Sequence, residues 1–333
     1  MPADHTTAPC PLDLGPLGCI EGLTVSNKSS TLCHYFGGLP YALPPVGPYR
    51  FRRARPLPDF FRYGTKANPG RFAGGTGVCP QPGYRGNPDK SLWDEDCLQL
   101  NIYIPTGDAP KEGWPVFFFI HGGWLQFGNP NTAPKAMAPL LSETQFRAVI
   151  VQPAYRLNAF GFLACKELQW EAEGDGDTVG NLGFWDQRMA LEWVKSNINR
   201  FGGDAENITV GGLSAGAHST FQQLAHDLYL PDSKSIIKRA IMFSNGSGVQ
   251  PKSLSEHQTQ FDELLNALRI PLHLSGPEKL AALRKLPSDE LVDIQSKLKY
   301  SEFRALSDGA FVSGSLIHDI NTGLSRSACG AVA

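Results

Sequence analysis

Two kinds of hydrophobic pattern alternate along the middle of the chain. Residues 97–104 switch between apolar and polar side chains, which predicts a strand that is buried on one face. Residues 115–120 form a short apolar run, as in a central strand that is covered on both faces. The stretches 147–155, 207–211 and 238–244 predict three further strands.

Apolar residues at helical spacing separate these predicted strands. Leu191, Val194 and Ile198 repeat at intervals of three and four, which predicts a helix over 185–200. A second amphipathic helix directly follows Ser214. Because strands and helices alternate through this part of the chain, we expect an α/β fold with a mostly parallel central sheet that is flanked by helices.

The last third of the chain has a different pattern. Short amphipathic segments predict helices there, and we expect breaks at Pro271, Pro277 and Pro287, because proline interrupts a helix. We therefore predict a single α/β domain over residues 1–333, with a helical cap-like segment at 252–305 that covers the sheet.

Composition narrows the classes of partner. The 333 residues are 41% hydrophobic, which allows a large buried core, and the formal net charge is −2 with a pI near 6.4. This balance lacks the basic surface of a nucleic-acid-binding protein, so we expect no nucleic-acid partner.

The sequence also favours one cellular location. The first residues lack the basic and apolar regions of a secretory signal, and the run 115–120 is far too short to cross a bilayer. We expect a soluble, cytoplasmic protein without a membrane span. The sequence leaves its oligomeric state open.

A candidate nucleophile lies between a predicted strand and a predicted helix. Residues 212–216 read GLSAG and fit the pattern G-x-S-x-G. The pattern alone also fits a structural serine in a glycine turn. In a strand–turn–helix setting it instead indicates a nucleophile elbow, whose sharp turn exposes the hydroxyl of Ser214 above the sheet at the start of a helix.

A second glycine motif follows the apolar strand at once. His121, Gly122, Gly123 and Trp124 occupy the place where α/β-hydrolases carry an oxyanion loop, in which backbone N–H groups stabilise the negative oxygen of an acyl-transfer intermediate. The N–H of Ala215 would be the partner donor. A plain glycine turn is the alternative interpretation. His121 precedes the serine, whereas the histidine of this fold's triad follows it.

Longer blocks around both motifs resemble a known family. They are FGGLPYA at 36–42, EDCLQLN at 95–101, AYRLNAFGFL at 154–163, GNLG at 180–183, DQR at 186–188 and FGGD at 201–204. In unbroken order they resemble the type-B carboxylesterases, the fungal members above all. The resemblance implies the α/β-hydrolase fold, hydrolysis of a small-molecule carboxylic ester through a serine acyl-enzyme, and no metal or organic cofactor.

The same resemblance implies roles for single residues. Ser214 would be the nucleophile, and Gly122, Gly123 and Ala215 would form or support the oxyanion hole. Many members have a third glycine where this chain has Trp124, whose ring would narrow the acyl or alcohol pocket. Many members also have Glu before the nucleophile, where this chain has Leu213, a position that is not part of the triad.

The resemblance further implies a structural pair and a structural helix. Cys79 and Cys97 match a disulfide of secreted members, and in a reducing cytosol the pair would stay open. Asp186 and Arg188 would hold helices in place rather than take part in catalysis.

The resemblance supplies no residue for the acid or for the histidine base of the catalytic triad. The resemblance fades after 319–323, and we expect the chain to stop before the acid, the histidine and the late strands of the sheet. His218 and His226 lie on the helix behind the nucleophile, which is expected to carry them away from its reacting face. His318 with Asp308 is the internal alternative in the right order.

Three functional hypotheses follow. The first is a carboxylic-ester hydrolase. The second is a truncated, catalytically silent esterase product that lacks the acid and the histidine. The third is a non-catalytic, cholinesterase-like binding module; since such modules lose the serine, the intact Ser214 argues against it.

Overall fold

The structure, a computed structural model, describes residues 5–84, 86, 89–246, 249–315, 318–319 and 322. The described strands form one nine-stranded sheet. They are β1 (Thr6–Asp13), β2 (Cys19–Ser26), β3 (Thr31–Pro40), β4 (Gly70–Arg71), β5 (Gln99–Pro105), β6 (Trp114–Ile120), β7 (Val149–Pro153), β8 (Gly203–Leu213) and β9 (Arg239–Phe243).

The sheet is mixed, whereas the sequence predicted a mostly parallel one. Its order is β1-β2-β3-β5-β7-β6-β8-β9, and β4 pairs with β2. From β7 through β6 and β8 to β9 the neighbours are parallel, as predicted. From β1 through β2, β3 and β5 to β7 they are antiparallel, and short connections join β1 to β2 and β2 to β3.

Eight described helices cover the sheet. They are α1 (Pro134–Ser142), α2 (Asn158–Phe162), α3 (Lys166–Gly174), α4 (Leu182–Asn197), α5 (Ala215–Tyr229), α6 (Leu254–Ala267), α7 (Gly276–Arg284) and α8 (Ser288–Gln295). The helices predicted over 185–200 and after the candidate serine are α4 and α5. Within the described residues, none of the helices is long and apolar enough to span a bilayer.

The helices in the predicted segment 252–305 are α6, α7 and α8. Pro277 lies in the first turn of α7 and Pro287 immediately precedes α8, so these prolines begin helices rather than break them. The assignment of all 333 residues to one domain stays a prediction.

The two faces of the sheet have separate hydrophobic cores. Tyr103 of β5 packs on one side in a small cluster with Met137 and Leu141 of α1. Its neighbour Ile102 points to the other side, into the larger cluster that includes Leu191 of α4. The larger cluster also includes Ile208 and Val210 of β8, the strand that leads to the candidate nucleophile.

Two buried ion pairs fix α4. The Asp186 carboxylate accepts from Arg156 Nε at 2.8 Å and from Nη2 at 2.7 Å, and both side chains are almost completely buried. Arg188 donates to Asp227 of α5 at 2.6 Å. Both pairs join structural elements to α4, as the sequence indicated for Asp186 and Arg188.

Removing one partner of the buried pair should destabilise the fold. We expect Asp186→Ala to lower the free energy of unfolding by about 3–5 kcal/mol, because it leaves the Arg156 guanidinium buried without its anion. Glu206→Ala, which removes the exposed partner of Lys195, should cost about 1 kcal/mol or less. Urea unfolding measures both, and equal losses would contradict this assignment.

Buried histidines should make stability depend on pH. Burial lowers the pKa of His121, of His226 and of His257 to about 4, from an ordinary value of 6.5. Between these two values the unfolded chain binds protons that the folded chain does not. The free energy of unfolding should therefore fall as the pH falls from 6.5 towards 4.

Urea unfolding across this pH range measures the effect. His257→Gln should make the decline shallower, because one of the proton-binding groups is gone. His273→Gln is the matched control, since His273 is exposed and its loss should leave the decline unchanged. A decline equally steep in both variants would contradict the assignment to buried histidine.

Candidate active site

Ser214 occupies a sharp turn between β8 and α5. Its φ is 57° and its ψ is −119°, a backbone conformation that non-glycine residues rarely adopt. Two hydrogen bonds hold the turn: the Ser214 N–H donates to the Phe243 carbonyl at 2.8 Å, and the Ser214 carbonyl accepts from the His218 N–H at 3.0 Å. The strain is thus maintained by β9 on one side and by the first turn of α5 on the other.

Close backbone contacts explain the glycines around this turn. A Cβ on Gly216 would lie 2.0 Å from the Ile120 carbonyl oxygen, so the start of α5 packs directly against the end of β6. A Cβ on Gly122 would lie 2.5 Å from the Leu213 oxygen and 3.4 Å from Ser214 Cβ. The HGG loop therefore lies against the nucleophile turn itself.

The loop after β6 folds into a tight turn of its own. The Gly123 carbonyl accepts from the N–H groups of Gln126 at 2.8 Å and Phe127 at 3.0 Å. Trp124 and Leu125 both have positive φ, at 60° and 65°. Because a trans peptide places N–H opposite C=O, the Trp124 N–H points away from this turn and remains unused by it.

The first residue of α5 supplies a second donor. Ala215 directly follows Ser214, and the N–H groups of a helix's first turn have no acceptor within the helix. The partial positive charge of a helix N-terminus adds to this donor capacity. The turn, the loop and the helix start thus present backbone donors beside one hydroxyl group.

Ser214 opens into a cavity of about 340 Å³. Its walls come from the carboxyl ends of β6, β8 and β9 and from the segment after α8, an edge at which open α/β sheets bind ligands. The lining residues are Trp124, Leu125, Ser214, Ala215, His218, Ser244, Asn245, Val249, Arg304 and Ala305. Trp124 is 58% exposed, so its ring forms an accessible wall of the cavity.

Comparison with known proteins shows the family of the chain. The profile described as the carboxylesterase family matches residues 12–329. The chain belongs to the carboxylesterase family. A Geobacillus stearothermophilus carboxylesterase structure aligns with a TM-score of 0.71 at 29% identity, over 92% of this chain and 59% of that one. The predicted α/β-hydrolase fold is confirmed.

Two fungal relatives are closer in sequence. A carboxylic ester hydrolase of Gibberella moniliformis is 57% identical over 310 residues, which are 93% of this chain and 57% of the relative. An esterase/lipase of Schizosaccharomyces pombe, itself uncharacterised, is 45% identical over 326 residues, or 95% of this chain and 58% of the relative. The chain thus spans somewhat more than half the length of these relatives.

His218 lies elsewhere than the sequence analysis expected. The expectation that α5 carries it away from the nucleophile is wrong: His218 lines the cavity of this carboxylesterase chain, because residues four apart share a helix face. Its side chain is 2% exposed, and its Nδ1 lies 3.4 Å from the Gly246 carbonyl oxygen. Burial lowers the pKa of His218, which favours the neutral ring.

The internal alternative of His318 with Asp308 does not form. Asp308 Oδ1 accepts from the backbone N–H groups of 310–312, and Oδ2 accepts from Asn181 at 2.9 Å. Tyr229, at the far end of α5, donates to Asp319 beside His318 at 2.6 Å. A helix of this length rises about 20 Å, so the segment lies far from the nucleophile.

The other candidate histidines are engaged elsewhere. His121 stacks on Tyr155 with ring centroids 4.5 Å apart, and its Nδ1 lies 2.8 Å from the Gly122 oxygen. His226 stacks on Phe311 at 4.4 Å. Among the described residues, no histidine ring hydrogen-bonds the Ser214 hydroxyl.

Cys79 and Cys97 are neighbours in the buried core. Both are free thiols, and the Leu157 N–H donates to Cys79 Sγ at 3.4 Å. A hydrogen bond to Cys79 and burial raise the pKa of Cys97. The structure brings the two residues together as thiols, and a disulfide between them stays a prediction.

Several cavity residues were missed by the sequence analysis. Ser244 and Asn245 follow β9 at the carboxyl edge of the parallel strands, a position that could have marked them. Arg304 and Ala305 return from the helices α6 to α8, and no local pattern marks them. The site thus depends on contacts between distant parts of the chain.

The close approach of the oxyanion loop is testable. Gly122→Ala should slow covalent reaction at Ser214 by roughly 100-fold or more, because the added methyl displaces backbone donors from the nucleophile. Gly74→Ala is the control, since a Cβ there meets no atom within 4 Å. Equal rates of phosphonylation by a fluorophosphonate in both variants would show that Gly122 has no such role.

Proposed function

We propose that this chain is a carboxylic-ester hydrolase with Ser214 as its acyl-accepting nucleophile. The observation that carries the proposal is the strained turn at Ser214, packed directly against the HGG loop at the wall of one cavity. Relatives named carboxylic ester hydrolase and esterase/lipase support this assignment. The activity requires no metal or organic cofactor.

The proposed reaction follows from the positions of the backbone donors. The Ser214 oxygen attacks the ester carbonyl, and the carbonyl oxygen becomes negatively charged. Backbone N–H groups of the HGG loop and of Ala215 stabilise that oxygen, each being worth roughly 3 kcal/mol in an acyl transfer. Collapse expels the alcohol and leaves an acyl group on Ser214, which water then removes.

Proton transfer determines how fast this reaction runs. A serine hydroxyl is a weak nucleophile without an adjacent base. In the described part of the chain, none of the histidine rings hydrogen-bonds the Ser214 hydroxyl. We therefore propose that the full rate requires a general base that this arrangement does not place beside Ser214. The oxyanion donors and substrate binding alone still leave an acceleration of about 1,000-fold or more over water.

The cavity walls favour small esters with an apolar group. Leu125, Val249 and Ala305 supply apolar surface. The exposed ring of Trp124 occupies space that a glycine at this position would leave empty. A ring in this position limits the volume available beside Ser214. The proposed substrates are therefore small-molecule carboxylic esters rather than large lipid esters.

Reaction with a fluorophosphonate probe tests the proposed nucleophile. Wild-type chain should form a covalent adduct that maps to residue 214, and Ser214→Ala should form none. Ser219→Ala is the matched control: this serine lies on α5, is fully buried and binds Gln187 at 3.1 Å. Its loss should leave the adduct unchanged.

Two outcomes would contradict the proposal. An adduct that persists in Ser214→Ala would place the reactive group elsewhere. Folded wild-type chain that forms no adduct at all would favour the catalytically silent alternative.

A further inference from the structure

Gln126 connects the oxyanion loop to a distant segment of the chain. It lies just after Trp124 and Leu125 and is 5% exposed. Its Nε2 donates to the Phe303 carbonyl at 2.6 Å and to the Trp124 carbonyl at 3.1 Å. Its Oε1 accepts from the Phe303 N–H at 3.1 Å. One side-chain amide thus binds both backbone groups of Phe303 and a carbonyl of the loop.

Phe303 belongs to the segment that completes the cavity. Arg304 and Ala305 directly follow it and line the cavity together with Trp124 and Leu125 of the loop. A second glutamine, Gln260 of α6, binds the same segment by donating to the carbonyls of Tyr300 and Glu302. Two glutamines therefore bind this segment, and of these Gln126 is the one within the oxyanion loop.

The loop needs such support because its backbone is strained. Trp124 and Leu125 have consecutive positive φ values, a conformation that persists in non-glycine residues only where neighbouring contacts hold it. The Leu125 carbonyl accepts from the Asn158 N–H at 2.7 Å, and the Gln126 carbonyl accepts from Asn158 Nδ2 at 3.2 Å. Gln126 adds the hydrogen bond to the Trp124 carbonyl, which fixes the peptide just after the oxyanion donors.

We propose that Gln126 is a positioning residue that couples the oxyanion loop to the segment returning from α6–α8. By binding Trp124 and Phe303 at once, it sets the distance between the two walls of the cavity. The coupling itself rests on the hydrogen bonds, and its effect on rate rests on the proposed function. Since a misplacement of about 1 Å costs a reaction roughly 100-fold, losing the coupling should reduce rate and not only stability.

A pair of matched variants tests the coupling. Gln126→Met and Gln260→Met each keep side-chain length and remove a buried amide that binds this segment; Gln260 is 1% exposed. Backbone amide hydrogen exchange is measured for residues 121–128 and 300–306, together with the rate of fluorophosphonate reaction and the free energy of unfolding.

The two variants should differ in one respect. Gln126→Met should speed exchange in both stretches and slow the fluorophosphonate reaction by roughly 10- to 100-fold. Gln260→Met should speed exchange near 300–306 alone and leave the reaction rate within about threefold of wild type. If both variants lose similar unfolding free energy and only Gln126→Met reacts slowly, the slow reaction results from lost positioning and not from lost stability.

Exchange in 121–128 that stays at the wild-type rate in Gln126→Met would overturn the coupling. If that variant fails to fold, Gln126→Glu keeps an acceptor for the Phe303 N–H and removes both donated bonds, and the same selective change is expected. A wild-type chain that does not react with the probe would contradict the proposed function alone. The coupling is still tested in that case, because hydrogen exchange in the two stretches is measured without any reaction at Ser214.

Discussion

The hydrogen bond from the Ser214 N–H to the Phe243 carbonyl holds the turn on which the whole site depends. A serine at φ 57° is strained, and the conformation persists because parallel strands flank β8 on both sides. The start of α5 then packs on Ile120, the last residue of β6, so closely that Gly216 has no space for a side chain. Chemistry and packing are therefore constrained by the same few backbone contacts.

A second set of contacts positions the helices and loop segments around the Ser214 turn. The buried ion pairs of α4 and the glutamines that bind the segment after α8 join elements that are distant in the sequence. These groups are polar and buried, so each one lost leaves its partner unsatisfied. The cavity beside Ser214 thus forms where several long-range polar contacts meet, and its shape follows from the arrangement of the whole fold.

Local signals predicted much of this architecture. The apolar run at 115–120, the stripe in α4 and the motif around Ser214 each require only neighbouring residues, and the structure contains the corresponding elements. The mixed sheet was missed because antiparallel pairing of β1 to β5 depends on connections rather than on the pattern within a strand. His218 was misplaced because its position relative to Ser214 depends on where the first turn of α5 begins.

Contacts between distant residues could not be predicted. Gln126 and Phe303 are 177 positions apart, and neither stands in a motif. Pro277 and Pro287 were interpreted as breaks, yet a proline at the first turn is equally compatible with a helix start. At Pro277 the capping box of Ser275 and Glu278, a local signal, favours the helix start.

The most direct test of this account is a crystal structure of the chain with a phosphonate bound covalently to Ser214. The phosphoryl oxygen should lie about 2.7–3.1 Å from the backbone nitrogen of Ala215 and from a backbone nitrogen of the HGG loop. A phosphoryl oxygen that points to solvent, with neither nitrogen within hydrogen-bond distance, would contradict the claim that the strained turn and the loop together form an oxyanion hole.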